Sequence, residues 1–245
     1  MNFDNSIDSK NRNLLNELTK AGVEIDFEEN TDFKSWAVQP KYKYRIVAPN
    51  KESDPEALTH ELLHIELNIL GFLHTNIISD IFIEENTRFS TSKLSDIQNQ
   101  LAHLKMLPNF VSLGYKANDF ISNNIEANQD IKRGLINLKT SFELSNQLNQ
   151  KYDIKTITQF FYLFIIVKNR ELENYYSKEE NPNLEEYYAL LKSCNEELYQ
   201  RIEIELNDWI SQQFSFNYKF YDRINNHLKE LGYPTESEWT KWKNS

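Results

Sequence analysis

The chain has 245 residues, a formal net charge of −10 and a single cysteine, Cys194. Such a length can bury a full hydrophobic core, and the acidic balance argues against binding nucleic acid, which requires a basic face or stripe. A lone cysteine excludes an intramolecular disulfide framework and, with no signal peptide at the start, favours a cytoplasmic location. The most apolar run, residues 160–167, is too short to span a membrane, which takes about 20 residues.

Glycine and proline are scarce, with five and six residues, whereas leucine, isoleucine, glutamate and lysine are abundant. This composition favours long helices joined by short loops. We therefore expect a mainly α protein of the α+β class, with a small N-terminal sheet and a helical C-terminal half.

The first third of the chain predicts a helix, three strands and a second helix, in that order. Ser53-Asp54-Pro55-Glu56 starts the second helix, because it offers a cap and a proline at the first helical position. We expect residues 44–47 to form a sheet edge that holds a substrate peptide as an added strand. The predicted spans are 10–20 for the first helix, 23–27, 35–38 and 42–49 for the strands, and about 54–71 for the second helix.

The rest of the chain predicts helices. One covers residues 76–85, and the next starts after residue 92 and stops at Pro108, because proline breaks a helix interior. The remaining predicted helices are 117–124, 127–151, 154–176, 183–213 and 216–231.

The motif His60-Glu61-Leu62-Leu63-His64 lies within the second predicted helix. Two histidines four residues apart share one helix face, so both can bind a single zinc ion, with the glutamate beside a zinc-bound water. This HExxH pattern is typical of the zinc metallopeptidases called zincins. It predicts a zincin-like metallopeptidase core over residues 1–114, with residues 115–245 as a helical extension packed on it or as part of one single domain.

A catalytic zinc ion needs a third protein ligand. The metzincin pattern would place Gly at position 67 and His at position 70, where this chain has leucine at both. Three candidates remain. His103 is preferred because a neutral imidazole suits zinc, followed by Asp96 on the same helix and by Glu84, twenty residues after His64 as in thermolysin-type enzymes. A purely structural His103, hydrogen-bonded to Asp96 or to a neighbouring helix, is the open alternative.

The segment Asn99-Gln100-Leu101-Ala102-His103-Leu104-Lys105-Met106-Leu107-Pro108 resembles a stretch that follows HExxH in the IrrE-like and ImmA-like metallopeptidases, Asn-x-Phe-Ala-Ala-x-Leu-Leu-Met-Pro. The resemblance implies a bacterial or phage-related peptidase that cleaves a specific intracellular protein in regulation, stress or defence. In that family a glutamate shortly before the asparagine is the third ligand. Here the nearest acid is Asp96, and His103 stands where the family has alanine.

The mechanism expected is hydrolysis of a peptide bond with Zn2+ as cofactor and Glu61 as general base on the zinc-bound water. The oxyanion donor is open, with Tyr115, His74, His227 or another tyrosine as candidates. The alternative is a non-catalytic helical protein-interaction module that keeps HExxH as a structural or vestigial metal site. Its partner surface would be the C-terminal tyrosines, namely Tyr175, Tyr176, Tyr187, Tyr188, Tyr199, Tyr218 and Tyr221.

Overall fold

The computed structural model describes residues 3–33, 35–40, 43–49, 53–71, 93–120, 125–211 and 218–233. Over these residues the protein is mainly helical, with eight α-helices and one small three-stranded sheet, which confirms the expected mainly α class. The strands are β1 (Ile25–Glu29), β2 (Ala37–Pro40) and β3 (Tyr44–Ala48). The helices are α1 (Arg12–Lys20), α2 (Pro55–Ile69), α3 (Leu94–Ser112), α4 (Ile125–Gln147), α5 (Ile154–Ser177), α6 (Leu184–Cys194), α7 (Glu196–Ser211) and α8 (Tyr218–Glu230).

The sheet has the order β1-β3-β2, so β3 is its middle strand. β3 pairs in parallel with β1 and antiparallel with β2. The prediction that residues 44–47 form a free edge is therefore wrong. Those residues belong to a strand with partners on both sides, and Ile46 and Val47 are almost completely buried, as expected of a central strand. Within the described residues the edges of the sheet are β1 and β2.

Helix α2 begins as its sequence predicts. The Asp54 carboxylate accepts a hydrogen bond from the backbone N–H of Ala57 at 2.8 Å, and Pro55 occupies the first helical position. These are the cap and start signals that satisfy the free N–H groups of a first turn. The helix ends before Gly71, whose φ of 97° is a left-handed conformation that favours glycine. α2 thus presents the HExxH segment in its second turn and beyond.

Helix α3 continues through Pro108 to Ser112, so the predicted stop at this proline is wrong. Proline costs a helix interior about 3 kcal/mol, because it removes one hydrogen bond and crowds the preceding turn. The neighbouring side chains Leu104, Leu107 and Phe110 are all buried. Burying each such side chain stabilises the fold by about 1.5–3 kcal/mol, so together they outweigh the local cost.

The helix predicted over residues 183–213 is two helices, α6 and α7, that meet at Asn195. Asn195 has an extended backbone, with φ −160° and ψ 110°, and its side-chain oxygen accepts a hydrogen bond from the N–H of Leu198 at 2.9 Å. It therefore ends one helix and caps the next. The segment predicted as helix 117–124 has a short 3-10 turn at Ala117–Asp119. Residues 121–124 and the predicted helix 76–85 lie outside the described residues.

The chain forms two compact units. One comprises Met1–His74 with Lys105–Ser122, and it contains α1, the sheet, α2 and the C-terminal part of α3. In this unit the N-terminal turn supports α2, because the Asn11 side chain donates hydrogen bonds to the carbonyl oxygens of Ser6 and Pro55. The predicted division at residues 114 and 115 remains a prediction.

The second unit comprises Thr75–Leu104 with Asn123–Ser245, and its described part holds the start of α3 and helices α4 to α8. Its core is aromatic, with Phe160, Phe164 and Trp209 almost completely buried. The indole N–H of Trp209 donates to the carbonyl oxygen of Leu101 at 3.2 Å, which fixes α7 against the start of α3. None of the described helices combines the length and apolar character that a bilayer crossing requires.

Candidate metal centre

Three imidazole rings converge in the structure, those of His60, His64 and His103. The first two lie one turn apart on α2, with their Nε2 atoms separated by 3.2 Å. His103 comes from α3, and one nitrogen from each of the three rings lies within 4.8 Å of the others. This is the sole group of three potential metal-ligating residues in the part of the chain that the structure describes.

The spacing of these nitrogens fits a zinc ion. Zinc binds histidine nitrogen at about 2.0–2.1 Å, and a tetrahedral arrangement then places two ligand nitrogens about 3.3 Å apart. The separation of 3.2 Å between His60 and His64 agrees with that value. The ligand nitrogens of all three rings lie within 4.8 Å of one another. A small movement of the side chains would therefore bring all three to binding distance of one ion.

The environment of His60 keeps its ring neutral. Burial lowers the pKa of His60 to about 4, although a hydrogen bond to the backbone of Phe120 acts in the opposite direction. A neutral imidazole is the form that binds metal, since protonation occupies the lone pair. The low pKa therefore keeps His60 at neutral pH in the form that is able to bind a metal ion.

Aromatic contacts orient His60. Its ring lies 4.7 Å from the ring of Phe120, and Phe120 packs edge-on against Phe110 at 5.1 Å. Phe110 lies on α3, so this stack runs from α2 to the helix that also carries His103. Groups that hold the ring of a metal ligand in place raise metal affinity, because less freedom is lost on binding.

The other candidates for a third ligand differ in their surroundings. Asp96 is half-exposed and pairs with Lys93 at 2.9 Å, and it is not part of the histidine group. Asn99, which the helical spacing places in line with Asp96 and His103, is exposed, whereas His103 is buried. Glu84 lies outside the described residues. Among the described candidates, the structure brings only His103 to the HExxH pair.

Glu61 follows His60 on α2 and is almost fully buried, with 6% of its surface exposed. Burial raises the pKa of its carboxyl group to about 8, and a hydrogen bond from the backbone N–H of Val38 lowers it in part. Val38 lies on β2, so the carboxyl group of Glu61 is close to this strand of the sheet. The sequence carries no motif for Val38, because the contact depends on how α2 packs against the sheet.

Two predicted oxyanion donors have other partners. The Tyr115 hydroxyl donates a hydrogen bond to Asp8 Oδ1 at 2.9 Å. Tyr115 as a whole is almost fully buried. The ring nitrogens of His227 lie against Glu205 at 2.9 Å and Arg201 at 3.4 Å on α7. His74 lies outside the described residues.

The C-terminal tyrosines divide between core and surface. Tyr187 is 1% exposed, and Tyr199 stacks on the buried ring of Phe164 at 4.9 Å. The Tyr188 hydroxyl donates to Glu171 at the helix surface. Tyr175 is 75% exposed. Most of the described tyrosines therefore pack helices together, which is the common use of this side chain.

Comparisons with models of protein families, with curated proteins and with solved structures find no match for this chain. Function is therefore inferred from the residues themselves.

Proposed function

We propose that this protein is a zinc-dependent metallopeptidase of the zincin type, with His60, His64 and His103 as ligands and Glu61 as general base. The observation that carries the proposal is the convergence of three imidazole nitrogens within 4.8 Å beside a buried glutamate on the same helix. Among the described residues the group offers three ligands, which is the number in catalytic zinc sites, whereas structural sites use four. The resemblance of residues 99–108 to the IrrE-like and ImmA-like peptidases supports the same proposal.

A zinc ion held by three protein ligands lowers the pKa of a coordinated water to about 7. Glu61 takes a proton from the attacking water and delivers it to the departing amine, so it acts first as base and then as acid. Its raised pKa, about 8 in the metal-free protein, suits proton transfer near neutral pH.

The three histidines that we propose as ligands carry less negative charge than the ligand set of the IrrE-like and ImmA-like peptidases, in which the third ligand is a glutamate. With a glutamate as third ligand, the protein contributes one negative charge to the ion. Three neutral imidazoles contribute none, so the ion keeps its full double positive charge. Replacement of the glutamate by His103 would therefore strengthen the ability of the metal to polarise water or a carbonyl group.

The proposal is tested by metal analysis and by proteolysis. Purified protein should contain about one zinc ion per chain, and it should cleave members of a peptide library derived from a bacterial proteome. Glu61→Gln should keep the zinc and reduce cleavage by about 10²–10⁴-fold, since it removes the general base but no ligand. Absence of zinc, or equal cleavage by the two proteins, would exclude the peptidase and favour the non-catalytic interaction module.

A further inference from the structure

One carboxylate oxygen of Asp8 accepts three hydrogen bonds. Two come from the backbone N–H groups of Lys10 at 2.8 Å and Asn11 at 2.9 Å, and they close a tight turn ahead of α1. The Asn11 side chain accepts in return from the N–H of Asp8 at 3.0 Å. The third donor is remote in sequence, since it is the Tyr115 hydroxyl at 2.9 Å. Asp8 therefore joins the N-terminal turn, residues 8–11, to the segment that follows α3.

Tyr115 is the first ring of a continuous aromatic series that ends at the metal site. It stacks on Phe110 with the ring centroids 4.9 Å apart and an interplanar angle of 25°. Phe110 contacts Phe120 edge-on at 5.1 Å, and Phe120 lies 4.7 Å from the ring of His60. Phe110 is fully buried, and Tyr115 and Phe120 are each only 4% exposed. Because a close-packed interior leaves little free space, a displacement of one ring has to be taken up by the next.

The N-terminal turn contacts Tyr115 at two points. Asp8 holds the hydroxyl, and Lys10 Nζ lies 4.5 Å from the ring centroid. A hydrogen bond from a phenol to a carboxylate is charge-assisted and about twice as strong as a neutral one. The contact of Lys10 is weaker, because this side chain is exposed to water. Asp8 is therefore the main restraint on the position of the ring.

The same turn also holds the start of the helix that carries His60. The Asn11 side chain donates a hydrogen bond at 3.4 Å to the carbonyl oxygen of Pro55, the first residue of α2. Asn11 is fully buried and is bonded to Asp8 in both directions. Asp8 thus reaches His60 by two routes, through the backbone of α2 and through the aromatic series.

We propose that Asp8 is a positioning residue for His60, acting through the hydroxyl of Tyr115 and the rings of Phe110 and Phe120. This inference rests on the proposed function, since it concerns a ligand of the proposed metal centre. Asp8 would contact neither the ion nor a substrate. It would limit the orientations of the His60 ring before a metal arrives, and less freedom would then be lost on binding.

Zinc affinity of the full-length protein, measured by competition with a chelator, tests the role of the acceptor oxygen. Asp8→Ala and Tyr115→Phe should each bind zinc about tenfold more weakly than the wild type. Asp8→Asn keeps an oxygen that can accept from Tyr115 and should recover most of the affinity. The double variant Asp8→Ala/Tyr115→Phe should be no weaker than Asp8→Ala, because both changes break the same bond. Additive losses, or an Asp8→Asn protein as weak as Asp8→Ala, would overturn the proposal.

Tyr233→Phe is the matched control for Tyr115→Phe. Tyr233 belongs to the second unit, is 7% exposed, and its hydroxyl accepts a hydrogen bond from the Asn195 side chain at 2.9 Å. Its replacement should lower the Tm to a similar extent but leave zinc affinity unchanged. Equal losses of zinc affinity in the two variants would reduce Asp8 to general support of the fold and would overturn the proposal.

Proton NMR of the metal-free protein tests the position of the His60 ring without any ion. The chemical shifts of its ring protons depend on the nearby ring of Phe120. Tyr115→Phe should move the ring resonances of His60 and leave those of His227, on α8 in the second unit, unchanged. Unmoved His60 resonances would overturn the proposal. A wild-type protein that binds no zinc but shows the expected shift would overturn the peptidase proposal and would support the positioning of the His60 ring by Asp8.

Discussion

The Nε2 atoms of His60 and His64 lie 3.2 Å apart on one face of α2, which is close to the separation of about 3.3 Å for two ligands of tetrahedral zinc. Helix geometry alone produces this spacing, since residues four apart lie one above the other. The helix cannot supply a third ligand of the same kind. A third histidine ligand would have to come from another element, and among the described residues His103 on α3 is the one close enough.

Replacing His103 with alanine should weaken zinc binding by more than about 100-fold, beyond the usual effect of residues that only orient a ligand. Asp96→Ala is the matched control, because Asp96 lies on the same helix but pairs with Lys93. Zinc affinity of purified protein, measured by competition with a chelator of known affinity, distinguishes the two. Full zinc occupancy in His103→Ala would remove His103 from the ligand set.

The aromatic stack that orients His60 should matter for the metal as well as for stability. Phe120→Ala removes a ring that is 4% exposed and contacts His60, so we expect a loss of about 3 kcal/mol in unfolding free energy and about 10-fold weaker zinc binding. Phe164→Ala removes an equally buried ring that packs on Tyr199. It should destabilise the protein to a similar extent but leave zinc affinity unchanged. Equal loss of zinc affinity in both variants would show that the effect comes from general destabilisation.

The metal-free protein should lose stability as pH rises, because of Glu61. Burial raises the pKa of this carboxyl group from 4.5 to about 8 in the folded state. Between these values the folded state holds a proton that the unfolded state releases. The stabilisation is complete below pH 4.5 and is lost as pH rises through about 8, with a slope of up to about 1.4 kcal/mol per pH unit. Glu61→Gln cannot ionise and should flatten this dependence in urea unfolding, and an unchanged slope would contradict the burial argument.

Because of His60, the metal-free protein should lose stability as pH falls, at lower pH values than those at which Glu61 acts. The pKa of His60 falls from 6.5 to about 4 because burial disfavours the charged ring. Its contribution to stability is therefore present above pH 6.5 and is lost as pH falls through about 4. His60→Gln should remove the acid sensitivity of the metal-free protein between these values. Persistence of the full effect in that variant would assign it to other groups.

Local features of the sequence predicted local structure well. The cap at Asp54 and the spacing of His60 and His64 act within one or two turns, and both occur as expected. The position of β3 in the middle of the sheet depends on strand order, which no single segment encodes. For the same reason the proximity of Val38 to Glu61 could not be anticipated from the sequence.

The two errors in helix boundaries have different physical causes. Pro108 breaks helices in isolation, but burial of the residues around it on α3 outweighs its cost. At Asn195 the opposite happens, since an apolar periodicity that continues across the residue is interrupted by a side chain that caps the next helix. Tertiary contacts therefore override local propensity at Pro108, whereas a local cap interrupts the helix at Asn195.

The contribution of Asn195 to the break between α6 and α7 can be tested directly. Its side chain accepts a hydrogen bond from the N–H of Leu198 and donates one to the Tyr233 hydroxyl at 2.9 Å. Asn195→Ala should therefore lower the unfolding free energy by about 1–2 kcal/mol, since it removes a helix cap and a tertiary contact. Asn183→Ala is the matched control, because Asn183 precedes α6 without making a side-chain cap bond. Thermal unfolding should show a lower Tm for Asn195→Ala but not for Asn183→Ala. Equal Tm values for the two variants would contradict this role of Asn195. The break between α6 and α7 would then be maintained by the apolar contacts of these helices.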